Sequence, residues 1–382
     1  MTASRDTSAP ARVAEELRRW AIDKALPLWS IRGVDARRGG FQERLNPDGS
    51  PDLAAPRRLL VQARQTYVYA HAAALGWFPE AKRLALGGAA FLLERYRSAD
   101  GGYVFSLEPD NSVADARRDT YGHCFVLLAL AWVAKIGGDA QIGARLEELL
   151  AFFDERLTAR DGSLLEGVPA NRPRRQNPHM HAFEAMLALQ ETLSHAQAPS
   201  RAARFAAMLT DKFLDPQTRT IGEYFNDDWT PQSDSIEPGH HAEWAWLARK
   251  DERLRGAAPG TLPTALLQTA LRWRDPQTGF LVDEADRNGA VVRNSRRIWP
   301  QTELAKAWMA EAEAGIAGAD EKAAAILLAI AAHYLDRPCP GGWTDRFDQA
   351  GRALTVQMPA TAFYHVFGAI AEANRLWPTR TP

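Results

Sequence analysis

Cysteine is nearly absent from this 382-residue chain: only Cys124 and Cys339 occur, far apart. No disulfide framework can be built from two such residues, and a reducing, cytoplasmic setting is the expectation. Long apolar runs are missing too. No stretch reaches the roughly 18 residues of a membrane helix, and the opening MTASRDTSAPARVAEELRRW lacks the apolar segment of a secretory signal. Neither sign of charge dominates. The 46 Lys and Arg stand against 47 Asp and Glu, a net charge of -1, which leaves no basic face for nucleic acid or an anionic membrane. There is no GxSxG elbow, no GxxxxGK[ST] loop and no GxGxxG after a strand, so serine-nucleophile, P-loop and dinucleotide chemistries have no support. HExxH and CxxC are also missing.

What is present is apolar mass and a period. Hydrophobic residues make up 46% of the chain, enough for a large core, and twelve tryptophans offer flat faces that serve helical cores and sugar rings alike. A glycine-led segment recurs six times: GGFQERLNPDGS, GGYVFSLEPDNS, DGSLLEGVPANR, IGEYFNDDWTPQ, TGFLVDEADRNG and GGWTDRFDQAGR. Their leading glycines, Gly39, Gly101, Gly162, Gly222, Gly279 and Gly341, are spaced by 62, 61, 60, 57 and 62 residues. A fixed period of this size marks repeated supersecondary units. Each segment alternates like a short strand and then turns, as in a small hairpin. Between the segments, apolar residues recur at three- and four-residue spacing, as in YGHCFVLLALAWVAKI and EKAAAILLAIAAHYL, giving about twelve helices, two per period. The expected fold is therefore all-α: an (α/α)6 barrel with hairpin-like loops at one end, in preference to an irregular helical solenoid. With no Pro/Ser-rich linker, residues 1–382 read as one domain, with 1–10 a flexible tail.

The period also predicts a site. Arg64, His123, His181, His240, Trp299 and His365 follow one another at intervals of 59, 58, 59, 59 and 66 residues, each near the start of a helix. Equivalent positions in a sixfold barrel share one end, so these six are expected to ring one mouth of the cavity. Glu184 and Glu243 lie three residues after His181 and His240, and Glu303 four after Trp299, one turn deeper on the same face, where a carboxylate can fix an imidazole tautomer. Asn177 sits one turn before His181. A buried Arg64 needs a hydroxyl-rich or anionic partner. His71, His195 and His333 read as core or interface residues, Cys124 as packing, and the pairs Arg117-Arg118, Arg174-Arg175 and Arg296-Arg297 as solvated charge at helix entries. His179 and His181, two apart, and the adjacent His240 and His241 do not place two rings on one helix face, so no metal is expected.

These residues lie in motifs, RRLLVQARQTYVYA, RRDTYGHCFVLLALA, RRQNPHMHAFEAMLAL, EPGHHAEWAWL, RRIWPQTELAKAW and GGWTDRFDQAGRALTVQMPATAFYHVF, that together resemble the N-acylglucosamine 2-epimerase superfamily in order and over nearly the whole chain. The resemblance implies a cofactor-free (α/α)6 sugar isomerase or epimerase. It implies that His240 and His365 are the proton-transferring pair and that His181 serves substrate binding and ring opening. Arg64, Tyr121, Asn177, Glu243, Trp299 and Glu303 then correspond to cavity residues that hold the sugar or orient the histidines. The tail before His365 looks most like mannose isomerases, and Thr361 departs from the glutamine found there in sulfoquinovose isomerases. The implied partner is a free monosaccharide and the implied reaction the interconversion of D-mannose and D-fructose. C2 epimerisation is the alternative, and a glycoside hydrolase on the same barrel the alternative of another class. Imidazole suits either proton transfer because it titrates near neutrality. Nothing in the sequence speaks to oligomeric state.

Overall fold

The helical periods become twelve rods among the described residues, 8–138 and 140–378, of the computed structural model. α1 (Ala9–Trp20) continues through a π-turn at Ala21–Ala25 into α2 (Leu26–Arg32), forming one rod. Then follow α3 (Leu59–Ala74), α4 (Ala81–Phe91), α5 (Thr120–Lys135), α6 (Ala140–Phe152), α7 (Asn177–Leu193) and α8 (Ala198–Met208). The chain ends with α9 (Pro238–Arg255), α10 (Leu262–Ala270), α11 (Ile298–Glu313), α12 (Ala319–His333) and α13 (Thr361–Leu376). The odd-numbered helices from α3 to α13 each pack on the next, and α13 closes on α3. The even-numbered helices and the α1–α2 rod stand outside, each against an inner neighbour. This is the (α/α)6 barrel.

Side-chain pattern explains the two rings. α5 buries 12 of its 16 residues, because TYGHCFVLLALAWVAK is apolar on nearly every face and its helix is enclosed on every side. α1 buries a stripe, Val13, Ala14, Leu17 and Trp20, and turns Arg18 and Arg19 outward. The expected tail at 1–10 is corrected: the helix already includes Ala9 and Pro10, and Pro10 is buried against the barrel, while residues 1–7 lie outside the described residues. No helix among the described residues is long and apolar enough to cross a membrane.

The six glycine-led segments gather at one end. In each, the chain leaving an outer helix makes one antiparallel bridge across a left-handed turn: Val34 with Phe41, Arg97 with Tyr103, Thr158 with Leu164, Leu214 with Ile221, Arg274 with Leu281 and Leu335 with Trp343. Strands of two or three residues then link neighbouring loops, and the pairing of Arg44 with Pro359 joins the last loop to the first. Five of the turns place a glycine in the left-handed region. The fourth uses Arg219 at φ +61°, so the expectation that Gly222 leads this repeat is corrected by three residues.

A second regularity fixes the register. The amide after each turn donates inward to the next inner helix: Phe41 to Gln62 Oε1 (2.7 Å), Tyr103 to His123 Nε2 (2.9 Å), Leu164 to His179 Nε2 (2.8 Å), Ile221 to His241 Nε2 (2.8 Å) and Leu281 to Gln301 Oε1 (2.7 Å). In the sixth repeat Phe363 replaces the polar pin and packs on Trp343, with ring centroids 5.4 Å apart. The three pinning imidazoles take their other contact at the carbonyl one turn back, that of Asp119, Arg175 or Glu237. Two residues after each pin come Arg64, Phe125, His181, Glu243, Glu303 and His365. These are the equivalent positions, and the expected set is corrected accordingly. His123 is a pin, His240 precedes the pin His241, and Trp299 lies one turn earlier than Glu303.

Two of the arginine pairs also depart from the expected solvated charge, while Arg117 is exposed as expected. Arg174 and Arg296 are buried, Arg174 donating to Ser163 Oγ and Leu164 O at 2.7 Å each and Arg296 paired with Asp275. Buried polar loop backbone needs such donors, which explains arginine there. His71 and His195 behave as expected, whereas His333, expected in the core or an interface, is exposed. His71 packs 3.9 Å from the Trp132 ring, His195 meets Glu147 at 2.9 Å, and His333 lies against Phe280.

Arg219 is exposed and holds a conformation costing an L-residue about 1–2 kcal/mol. Arg219→Gly is expected to stabilise the protein by about 0.5–1 kcal/mol after the entropy cost of glycine, read as a higher urea midpoint at unchanged m-value. A lower midpoint would show that the arginine side chain contributes more than its backbone strain removes.

Candidate active site

The inner helices all begin at the loop end, so their first two turns surround the top of the barrel's axis. Glu223, in the fourth loop, reaches over α9 and holds His240: its two oxygens lie 2.9 and 3.0 Å from Nδ1. Gln176 donates to Glu223 from the other side at 3.0 Å. Gly239, beside His240, leaves room for the Trp299 indole, since a Cβ there would lie 2.7 Å from that ring. Trp299 in turn stands between the proton-transfer candidates, with ring centroids 5.0 Å from His240 and 5.6 Å from His365. His365 Nδ1 donates to Glu303 Oε1 at 2.8 Å, and the other Glu303 oxygen meets Lys306 Nζ at 2.6 Å. Nε2 of neutral His365 is left with its lone pair.

His181 forms a third unit. Its Nδ1 is 2.9 Å from Glu184 Oε2, and Tyr364 OH donates to the other Glu184 oxygen. Its Nε2 is 4.0 Å from Glu243 Oε1. Arg64 donates to Tyr121 OH at 2.9 Å and to Thr361 O at 3.2 Å. Its guanidinium lies over the rings of Phe125 and Tyr364, at 4.1 and 4.7 Å. A cation held this way keeps its charge with few committed hydrogen bonds, and Nε has no partner.

The structure thus gathers Arg64, Tyr121, Asn177, His181, His240, Glu243, Trp299, Glu303 and His365, and leaves His123 out. One local expectation changes. Glu243 does not hold the His240 ring; Glu223 does. Glu223 was missed as a functional residue, although a signal existed: an acidic residue stands two positions after the bridged residue in five loops, at Glu43, Glu166, Glu223, Asp283 and Asp345. Glu43, Glu166 and Asp283 accept the backbone N–H of Arg58, Arg175 and Arg297 at the next helix start. Lys306 and Tyr364 were also missed, and neither recurs in the period.

Electrostatics separates the histidines. Burial disfavours a charged His240, yet Glu223 and Glu237 outweigh it and push its pKa up to about 9. Burial drives His365 well below the usual imidazole range, and the positive charges of Arg64 and Lys306 add to that. Burial also holds His181 down to about 4 despite Glu184. At neutral pH one imidazole of the pair is charged and the other neutral. Asn177 Nδ2 lies 3.2 Å from His240 Nε2, while Asn177 Oδ1 has no partner. A charged His240 requires the opposite amide orientation, with Oδ1 accepting from Nε2–H.

Donor atoms also converge across repeats in a way the helix spacings did not predict. Those of His181, Glu184 and Glu243 lie within 4.8 Å of one another, as do those of Glu243, Glu303 and His365. A cation there would have to compete with the Lys306 ammonium already on Glu303 and the Tyr364 hydroxyl on Glu184.

The family model for N-acylglucosamine 2-epimerase matches residues 39–369. A mannose-6-phosphate isomerase of Rhizobium meliloti (strain 1021) is 32% identical over 378 residues, covering 94% of this chain and 96% of the relative. Among solved structures, the cellobiose 2-epimerase of Spirochaeta thermophila DSM 6192 superposes with a TM-score of 0.88 at 23% identity, covering 99% of both chains. A D-mannose isomerase superposes with a TM-score of 0.86 at 22% identity, covering 94% of this chain and 98% of the other. At these identities the two structures establish the shared fold.

The Glu223 contact makes a titration prediction. His240 is expected to titrate near 9 by NMR of its ring nitrogens, and Glu223→Gln to lower that value by at least about 1 unit. An unchanged value would locate the charge control elsewhere. For the carboxylate clusters, elemental analysis of the purified protein is expected to find no stoichiometric metal, and EDTA to leave its thermal midpoint unmoved. A tightly held ion whose removal lowers the midpoint would overturn this.

Proposed function

Because the chain belongs to the N-acylglucosamine 2-epimerase family, and is a sugar isomerase or epimerase, we propose that it interconverts D-mannose and D-fructose through a cis-enediol, with His365 as the base and His240 as the acid. The observation that carries the assignment of roles is the opposed charge state of two imidazoles flanking one indole. Groups whose environments push their pKa values apart are suited to act as acid and base together.

The proton balance closes within these residues. His181, polarised by Glu184, assists opening of the sugar ring. His365 Nε2 takes the C2 proton while the His240 imidazolium protonates the C1 oxygen, giving the neutral enediol. His240 then takes the proton from the C2 hydroxyl as His365 returns its own to C1, leaving the ketose and both histidines in their starting states. Negative charge developing on the two oxygens is stabilised by Arg64 and by the inner-helix N-termini that converge on the site. Trp299 supplies an apolar face to the sugar carbons.

A free sugar is preferred to a sugar phosphate. The rim arginines Arg58, Arg175 and Arg297 each face a carboxylate, Glu43, Glu166 and Glu237 respectively, so none of these three is left uncommitted for a phosphate. A glycoside hydrolase would need two carboxyl groups flanking the scissile bond, but Glu184 and Glu303 are engaged by histidine, tyrosine and lysine. A cytoplasmic location fits the two unpaired cysteines.

The test is turnover in D₂O followed by NMR, offering mannose, mannose 6-phosphate and N-acetylmannosamine separately. Fructose deuterated at C1 is the expected product of mannose, and His240→Ala and His365→Ala are each expected to lose at least about 10²-fold in kcat. Glucose deuterated at C2 without fructose would make the enzyme a 2-epimerase. Turnover of the phosphate alone would overturn the free-sugar reading.

A further inference from the structure

Lys306 is a charged group in the barrel that the proton-transfer scheme does not use, and its position is unusual. It is a lysine on α11 at 2% exposure, one turn beyond Glu303, with its ammonium 3.7 Å from the Trp246 ring centroid. Lysines are almost never fully buried unless paired. Its partner is the carboxylate that orients His365: Lys306 Nζ, Glu303 and His365 Nδ1 form one chain of 2.6 and 2.8 Å contacts across two helices.

We propose that Lys306 is a positioning residue for the base, keeping Glu303 ionised and His365 neutral so that Nε2 presents its lone pair to the substrate. The need follows from the surroundings. Burial favours a protonated Glu303, and the nearby Glu184 carboxylate adds to that; Lys306 is the principal opposing charge. Glu243, on α9, is raised by burial and by Glu303, so the two carboxyl groups compete for the same ammonium. A protonated Glu303 could donate to His365 Nδ1 and turn the ring to the tautomer whose Nε2 carries the proton, which cannot take another.

The other charges facing this chain come from every packed helix. Arg64 on α3, His181 on α7 and Lys306 itself lower the His365 pKa, while Glu184 raises it. Tyr364, on α13, lies beneath the ammonium and is held in the phenol form by burial. Away from the site, Lys306 lines a cavity of about 300 Å³ at the opposite end of the barrel, beside Lys250 on α9 and Glu372 on α13, neither of which contacts Glu303. Removing the ammonium therefore acts in one direction. The Glu303 pKa rises because its counter-charge is gone, and the His365 pKa rises because a repelling cation is gone. Activity needs Glu303 ionised and His365 neutral, so both effects move the acidic limb of the pH profile to higher pH.

This inference rests on the isomerase or epimerase reading, so wild-type turnover is measured first; if no sugar turns over, that reading fails. Given an active enzyme, kcat against pH is compared for wild type, Lys306→Met, Lys306→Gln and Lys306→Arg, each checked for folding by circular dichroism. The acidic limb is expected to rise by about 1 unit or more in the Met and Gln variants, about tenfold lower kcat at a pH on that limb. Lys306→Arg, which keeps the charge, is expected to restore the limb. If Met does not fold, Gln, one bond shorter than lysine but polar and uncharged, decides. If neither uncharged variant folds while Arg does, the ammonium serves folding and the positioning role is overturned. A lower kcat with an unmoved limb overturns it as well, because a purely structural lysine would produce that result.

Discussion

In five repeats a loop amide donates to a histidine or glutamine on the next inner helix, and the rest of the site depends on that bond. A loop buried against helix starts must find acceptors for its backbone N–H groups. Here the acceptor is always a side chain at one helical position, so each loop is fixed in height and rotation against a helix. The residue two positions later is then carried onto the barrel axis. Arg64, His181, Glu243 and Glu303 owe their convergence to this geometry, and His365 to the Phe363–Trp343 ring contact that replaces it in the sixth repeat. The same requirement explains why three of the nine histidines, His123, His179 and His241, are buried and neutral yet take no part in the chemistry.

Gathering these residues creates an electrostatic problem that the barrel solves by pairing. Glu184, Glu243 and Glu303 are all buried within one cluster, and isolated ionised carboxylates there would be prohibitively costly. Glu184 is stabilised by His181, Tyr364 and Lys306, so that its pKa stays near 2 although burial would raise it. Glu303 has Lys306 and His365, and Lys306 opposes, without cancelling, the rise that burial gives its pKa. Glu243 has no comparable hydrogen bond, and its pKa rises well above the ordinary range. The charge state of each histidine is set by this inventory rather than by its own helix. His240 has Glu223 and Glu237 for company and stays charged, whereas His365 faces Arg64 and Lys306 and stays neutral.

Much of this was legible beforehand, and the failures share a cause. The sixfold spacing gave the barrel, the two rings and the end at which the site lies, because each repeat is one unit that must bury its face against the next. The proton-transfer pair came from resemblance of motifs. Spacing alone misassigned His123, His240 and Trp299 as equivalents, since slips of two to four residues are invisible when intervals already vary from 57 to 62.

The sequence by itself determined the helical period, the mouth of the barrel and the residue types available there, because local periodicity and helix starts are properties of neighbours along the chain. It also placed His181 against Glu184, a contact made within one turn of one helix. Only the tertiary structure decided that Glu223 holds His240, that Glu303 holds His365, and that Lys306 and Tyr364 complete the cluster. Apart from Lys306, one turn from Glu303, those partners sit on different elements, up to 180 residues apart for Tyr364 and Glu184. Their charge states follow from what surrounds them in space, which no spacing along one helix encodes.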